Sequence, residues 1–255
     1  MKPKEAYEYA LKYSPSEEIR NIVCKDSEYA CWYATDIDQG PSDDTREAAC
    51  RDPECAYWYA KNVDKGPRED TRNSACKSAY FAYLYAMDID KCPKEETRKG
   101  ACIDTGYAYY YAKDIDKNSR DDTRKAACES PRYAYFYAKK IDKCPHEETR
   151  KNVCRNQEYT YYYALDIDKC SREDTREAVC SYENLEFVYL YAQNIDKSPN
   201  EKTREAVCRD PEYACKYAFT IDKCPTEDTW LAVKGTEYEK EYKKAFNNSI
   251  KELII

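Results

Sequence analysis

Cysteine is the first residue type here that could do chemistry, because 255 residues carry 15 thiols. Eight occupy one repeated position: Cys24, Cys50, Cys76, Cys102, Cys128, Cys154, Cys180 and Cys208. A second set, Cys92, Cys144, Cys170 and Cys224, stands at another. Thiols could bridge, hold zinc or act as nucleophiles. Neighbours at one position of stacked helices lie about 8–10 Å apart, whereas a disulfide needs Cα atoms within about 7 Å. C-x-x-C is absent, and the lone histidine, His146, supports neither a Cys/His zinc set nor a His-centred triad. The expectation is small, buried, reduced thiols, with no metal, no other cofactor and no catalytic residue.

Carboxylates come next. The pairs Asp36/Asp38, Asp88/Asp90, Asp114/Asp116 and Asp166/Asp168 invite a calcium or glycosidase reading. They recur along the chain, however, without the glycine and terminal glutamate of an EF-hand loop. The second acid is present in eight copies: Asp38, Asp64, Asp90, Asp116, Asp142, Asp168, Asp196 and Asp222. It falls at a helix C-terminus, where a carboxylate opposes the helix dipole, so it requires a partner. Arg20, Arg46, Arg72, Arg98, Arg124, Arg150, Arg176 and Arg204 recur in step with it. Backbone N–H groups opening the next helix are further candidates. Together they are expected to form a structural ladder. The alternative is a phosphate-reading arginine stripe that, with stacked tyrosines and nearby Lys columns, binds a nucleotide or single-stranded nucleic acid.

These residues are positioned by a tandem array. Thr-Arg occurs at 45, 71, 97, 123, 149, 175 and 203, spaced by 26 residues except for one interval of 28. The two extra residues fall near 182–184. Each unit reads as two short helices. One copy places helix A over about 41–50 and helix B over about 53–64, with Pro41 and Pro53 in first turns and Asp52 as an N-cap. Thr45, Ala48 and Ala49 form the stripe of helix A. Ala56, Tyr59, Ala60 and Val63 form that of helix B. Helices this short are marginal alone and must stack on their neighbours. The expected fold is all-α: an α-solenoid of about eight two-helix repeats over residues 15–234, with capping helices in 1–14 and 235–255. The latter is read as one helix over 236–253.

The pattern D-T-R-x-A-[AV]-C-x-D-P-x-x-A-Y-x-Y-A-x-D-I-D-K resembles the helical-hairpin tandem repeats of the tetratricopeptide/HEAT superclass. It is more similar to shorter, uncharacterised repeats of about 25 residues found in viral, phage and bacterial proteins. The resemblance covers residues 5 to about 234 and lacks the W…L-G…Y signature of a tetratricopeptide unit. It implies a non-enzymatic binding scaffold, inhibitor or adaptor, usually for another protein or peptide, and brings no catalytic residues.

Composition narrows the function. With 42 Lys+Arg against 49 Asp+Glu, the net charge of −7 excludes a strongly basic nucleic-acid glove and an acidic DNA mimic. Only 5 Gly argue against phosphate-cradling loops, and 28 Tyr must build much of the core. No apolar run approaches the ~20 residues of a membrane span, and no apolar export segment follows Met1, so a cytoplasmic protein is expected. Recognition needs variation, and two adjacent columns of helix B supply large aromatics with changing flanks. One holds Trp32, Trp58, Leu84, Tyr110, Phe136, Tyr162 and Leu190. Its neighbour holds Tyr83, Tyr109, Tyr135 and Tyr161. These residues form the candidate partner-binding face; the alternative is that both columns are core, because the chain has so little leucine.

Overall fold

Short helices alternate along the whole array, and each A helix carries acid in its first turn. The structure, a computed structural model, describes residues 1–13 and 15–253. It is an all-α solenoid of helical hairpins, and the described residues contain no strand. Ser14, Ile254 and Ile255, at the ends of the two expected caps, lie outside the described residues.

The chain forms two compact units, Met1–Ala127 and Cys128–Ile255. The first opens with a helix at Pro3–Lys12. The A helices Glu17–Val23, Asp43–Ala49, Glu69–Ala75, Glu95–Ala101 and Asp121–Ala127 then alternate with B helices starting at Ser27, Pro53, Ala79 and Thr105. In the second unit, B helices starting at Pro131, Gln157, Leu185 and Pro211 alternate with A helices Glu147–Val153, Glu173–Cys180, Glu201–Val207 and Glu227–Val233. A final helix spans Glu239–Leu253. Within each unit a B helix packs on its own A helix, on the A helix that follows, and on the next B helix.

Two expectations at helix starts need correction. Pro41 lies outside its helix rather than in the first turn. Ser42 is the N-cap, its hydroxyl accepting from Thr45 N–H at 3.3 Å. The last helix begins at Glu239 rather than 236, and a non-helical Phe246 (φ −120°, ψ 20°) interrupts it. Asp52 caps as expected, accepting from Cys55 N–H at 3.0 Å.

The ends of the B helices were not legible in the sequence. Most widen into a turn with i→i−5 bonds, over Tyr85–Asp90, Tyr111–Asp116, Ala138–Asp142, Ala164–Asp168, Ala192–Asp196 and Ala218–Asp222. In the first two hairpins single wide bonds run from Asp38 N–H to Tyr33 C=O and from Asp64 N–H to Tyr59 C=O, both 3.0 Å. The next residue is left-handed in every case: Gln39, Lys65, Lys91, Lys117, Lys143, Lys169, Lys197 and Lys223, with φ from 51° to 58°. Lysine is thus more than a charge near the last carbonyls. It occupies the helix-ending position usually taken by glycine, and its unbranched Cβ makes that tolerable.

The core is built from tyrosine and alanine. Thr45, Ala48, Ala49, Ala56, Tyr59 and Ala60 are fully buried, and Val63 and its Ile counterparts line the edge. Alanine allows close helix approach. Gly100 marks the tightest place, since a Cβ there would lie 2.8 Å from the Cys76 carbonyl and 2.7 Å from Ala82 Cβ.

The left-handed terminator makes a testable statement. Lys91→Ile should destabilise the fold by about 1–2 kcal/mol, because a β-branched residue resists positive φ. Lys91→Gly should not destabilise it. Urea midpoints of the two variants check this, and equal losses would dismiss the conformational argument.

Candidate functional site

The repeated polar residues meet inside each hairpin. In the second hairpin, the Tyr59 hydroxyl lies 2.8 Å from Thr45 Oγ1, accepts from Ser42 N–H at 3.1 Å, and reaches the Ser42 carbonyl at 3.2 Å. The following residue, Arg46, holds its guanidinium carbon 5.7 Å from the centre of the Tyr59 ring. Its Nε and Nη2 donate to both oxygens of Asp64, with a closest approach of 2.8 Å. Thr-Arg on helix A is therefore a two-residue reader of Tyr and Asp on helix B.

The same clasp recurs. Arg72–Asp90 (2.6 Å), Arg98–Asp116 (2.7 Å), Arg150–Asp168 (2.7 Å), Arg176–Asp196 (3.0 Å) and Arg204–Asp222 (2.7 Å) form the corresponding pairs. The hydroxyls of Tyr85, Tyr111, Tyr163, Tyr191 and Tyr217 meet Thr71, Thr97, Thr149, Thr175 and Thr203 at 2.8–2.9 Å. Arg124 pairs with Asp121 at 2.7 Å and donates to Ser119 Oγ at 2.5 Å, and Asp142 is half-buried at the end of its B helix. The C-terminal helix repeats the first half of the clasp, with Thr229 Oγ1 2.6 Å from the Tyr242 hydroxyl. There Trp230 replaces arginine and packs its ring 6.0 Å from Tyr242.

The ladder is buried. Side chains of Asp64, Asp90, Asp116, Asp168, Asp196 and Asp222 are at most 3% exposed, and their arginines at most 18%. Hydrogen bonds to Asp64 and Asp116 push Arg46 and Arg98 above the ordinary arginine value. These guanidiniums are committed internally.

The first hairpin departs from the pattern. Ile19 stands where the other repeats have threonine. The buried Tyr33 hydroxyl has no hydrogen-bond partner among the described residues, and neither do Arg20 Nε and Asp38 Oδ2. Arg20 still reaches Asp38 Oδ1 at 2.7 Å.

The N-cap position of helix A carries side chains as different as Ser42, Arg68, Lys94, His146, Arg172 and Asn200. The tyrosine bonds only to the backbone there: His146 N–H donates to the Tyr163 hydroxyl at 3.0 Å, and that hydroxyl donates to the His146 carbonyl at 3.1 Å. His146 adds an N-cap bond, Nδ1 accepting from Glu148 N–H at 3.2 Å.

The two aromatic columns separate. Tyr109, Tyr135 and Tyr161 are buried and Tyr83 is half-buried, so their column belongs to the interior rather than to a contact face. It staples consecutive repeats. Tyr57 donates to Asp88 at 2.5 Å, Tyr83 donates to Asp114 at 3.1 Å, and Tyr135 donates to Asp166. Tyr161 accepts from Asn194 at 2.9 Å. Lys61 and Lys139 close two of these contacts, each reaching both the tyrosine and the aspartate. The first acids of the Asp pairs thus serve the repeat junctions. In the other column Trp32 and Trp58 are 41% exposed, Tyr110 39% and Tyr162 36%, while Leu84, Phe136 and Leu190 are half-buried.

The eight column cysteines are less buried than expected. Cys128 and Cys180 are buried, and Cys24, Cys50, Cys76, Cys102, Cys154 and Cys208 are half-buried at helix ends. None of the fifteen forms a disulfide within the described residues. Burial pushes Cys24, Cys50, Cys102, Cys154 and Cys180 up to about 11, and Cys76 and Cys208 to about 12. Cys92, Cys144, Cys170 and Cys224 are exposed. No cluster of His, Cys, Asp and Glu able to hold a metal occurs among the described residues.

Comparison with protein-family models, curated proteins and solved structures finds no match to this chain. Among the described residues, no helix is long and apolar enough to cross a membrane.

The clasp sets a paired expectation. Tyr85→Phe removes the partner of Thr71 and of the Arg68 backbone and should cost about 1–3 kcal/mol. Tyr33→Phe removes a hydroxyl that is already unpaired and should be neutral or stabilising. Equal losses in urea titrations would show that the Thr–Tyr bond contributes nothing.

The thiols set a second one. Below the ordinary value of 9.0 they are protonated in both folded and unfolded chains, and their contribution to stability is complete. From there to about 11–12 the unfolded chain releases protons that the folded chain keeps, so stability should fall with rising pH. The buried tyrosines, also pushed upward by desolvation, act in the same direction. Melting temperature should be level from pH 7 to about 8.5 and drop above about 9. In native protein near pH 8, a thiol reagent should modify the four exposed turn cysteines first, read by mass spectrometry. Fast labelling of the column cysteines would contradict this.

Proposed function

We propose that this chain is a non-enzymatic protein-binding scaffold, an inhibitor or adaptor, that presents the outward column of its B helices to a partner protein. One contrast carries the reading. The polar residues repeated in nearly every hairpin are consumed by bonds within the array, whereas the column whose side chains differ is exposed. Trp32, Trp58 and Tyr110 in the first unit and Tyr162 in the second offer rigid aromatic area at 36–41% exposure. Such area is what interface anchors use. Leu84, Phe136 and Leu190 flank it as smaller or less exposed members.

The nucleic-acid alternative draws no support from the arginines. A stripe that reads phosphates needs guanidiniums facing solvent, and Arg46, Arg98 and Arg150 are buried and bidentately held by carboxylates.

A photo-crosslinking residue at Tyr110 or Tyr162 should capture a discrete partner in source-cell extract. The same residue on exposed A-helix positions Lys99 or Glu205 should not. Alongside, Arg98→Ala should lower stability by about 3 kcal/mol or more, because Asp116 would remain buried and unpaired, and it should leave partner capture unchanged. Unchanged melting with lost binding would mean that the arginine column, and not the aromatic face, reads the ligand.

A further inference from the structure

The junction between the first two B helices is built differently from five others within the two units. At those five a ring from the inner tyrosine column packs on an aromatic of the next repeat. Tyr57–Phe81 centroids are 5.8 Å apart, Tyr83–Tyr107 6.0 Å, Tyr135–Tyr159 5.9 Å, Tyr161–Phe187 5.7 Å and Tyr189–Tyr213 6.2 Å. At the first junction both members are cysteine: Cys31 Sγ lies 4.0 Å from the Cys55 carbonyl. Two large-to-small replacements at one contact leave a cleft of about 750 Å³ with both cysteines on its wall. The column that flanks it carries tryptophan only at these two repeats, Trp32 and Trp58, and both line the cleft. Asn62, where the staple would put its acid, also lines it and has no tyrosine to receive.

Charge decides what such a cleft accepts. Its lining contains five carboxylates and neither lysine nor arginine. Asp26 and Asp52 each cap a helix through one oxygen, and Asp36 accepts from Tyr7 at 2.5 Å. Glu28 and Glu54 have no ion-pair partner among the described residues. Both thiols are neutral at physiological pH, pushed by burial to about 11 for Cys31 and about 12 for Cys55. Indole faces attract cations, and nearby carboxylates add Coulomb attraction for the same charge. Lys61 already shows the preference, with its ammonium 5.4 Å from the Trp58 ring centre, on its way to Asp88 in the third hairpin. Trp32 holds no such cation among the described residues and instead packs on Tyr29 at 5.1 Å.

We infer that the Trp32–Trp58 cleft is a receptor for a basic side chain, arginine or lysine, carried on a partner polypeptide. The identity of the occupant as a polypeptide rests on the scaffold reading above. The cleft itself rests on the missing ring pair, the two tryptophans and the uncompensated acids. An arginine suits it best, since a planar guanidinium can stack on an indole while donating to Glu28 or Glu54.

The test uses the full chain and three capped peptides identical except for two central residues: Arg-Arg, Gln-Gln or Glu-Glu. Calorimetry should detect the Arg peptide only, with affinity falling as salt rises. Cys55→Tyr restores the ring found at this position in other repeats and fills the cleft. It should melt no lower than the parent and bind the Arg peptide about tenfold or more weakly. Trp58→Leu and the surface double variant Glu28→Gln/Glu54→Gln should weaken it by a similar factor. Tyr162→Leu, in the second unit, should leave it unchanged. Arg binding no stronger than Gln binding, or full binding by folded Cys55→Tyr, would overturn the cleft assignment. Neither result would touch the crosslinking outcome at Tyr110 and Tyr162, on which the scaffold reading stands.

Discussion

Everything in this array depends on a carboxylate at the wrong end of a helix. An aspartate at a helix C-terminus faces the negative pole of the dipole, and here it is also removed from water. Burying it is tolerable only if its charge and both oxygens are satisfied. Arginine meets that demand, because its fork donates two parallel bonds to Asp64 or Asp116. The guanidinium must then be fixed in turn, and the ring of the hairpin's buried tyrosine lies against it. The tyrosine hydroxyl needs its own partner, supplied by the threonine beside the arginine and by the backbone of the N-cap. Three further residue types follow from one buried charge, which explains their recurrence together.

The clasp also explains how seven-residue helices hold. Helix propagation over so few residues contributes little. Joining the first turn of helix A to the far end of helix B closes the hairpin at its open side, opposite the short A-to-B connection. Stacking then adds alanine faces close enough that a single Cβ at Gly100 would collide with backbone, and staples such as Tyr57–Asp88 set the register between repeats. The wide turn and the left-handed lysine that follow position the aspartate where the chain reverses, so the terminator and the ladder are parts of one device.

Much of this was legible because the chain repeats itself. Helix number, the alanine and tyrosine stripes, and the need of Asp116 for Arg98 all follow from spacing and from the helix dipole. Other features were hidden for definite reasons. Wide turns leave no mark in a sequence whose apolar period ends at the isoleucine. Tyr59 and Tyr57, two residues apart, are both buried, and no propensity distinguishes the clasp from the staple; their partners, Thr45 and Asp88, are brought close only by packing. For the same reason the sequence leaves Tyr109, Tyr135 and Tyr161 open between core and surface, since an aromatic with variable neighbours looks alike on either face of a helix, and packing decides for the core. A cysteine at a helix end between small residues reads as core, because the sequence gives no sign that the next turn leaves it half open.

A repetitive array gives each departure from its own pattern a measurable structural cost. Ile19 leaves the Tyr33 hydroxyl orphaned at the edge of the first hairpin, where the terminal helix packs and a threonine would fill less apolar space. That exchange trades a hydrogen bond for hydrophobic burial, which suits a residue with apolar packing on one side only. Cys31 and Cys55 admit no such account. They forfeit a ring contact and a staple at an interior junction, where every neighbouring repeat keeps both, and the space they vacate is left open. The clasp Arg46–Asp64 and the alanine stripe still hold that hairpin, so the loss is borne locally without breaking the array. A junction weakened in this way, lined with acids and walled by the two largest side chains of its column, has the physical character of a site rather than of a seam.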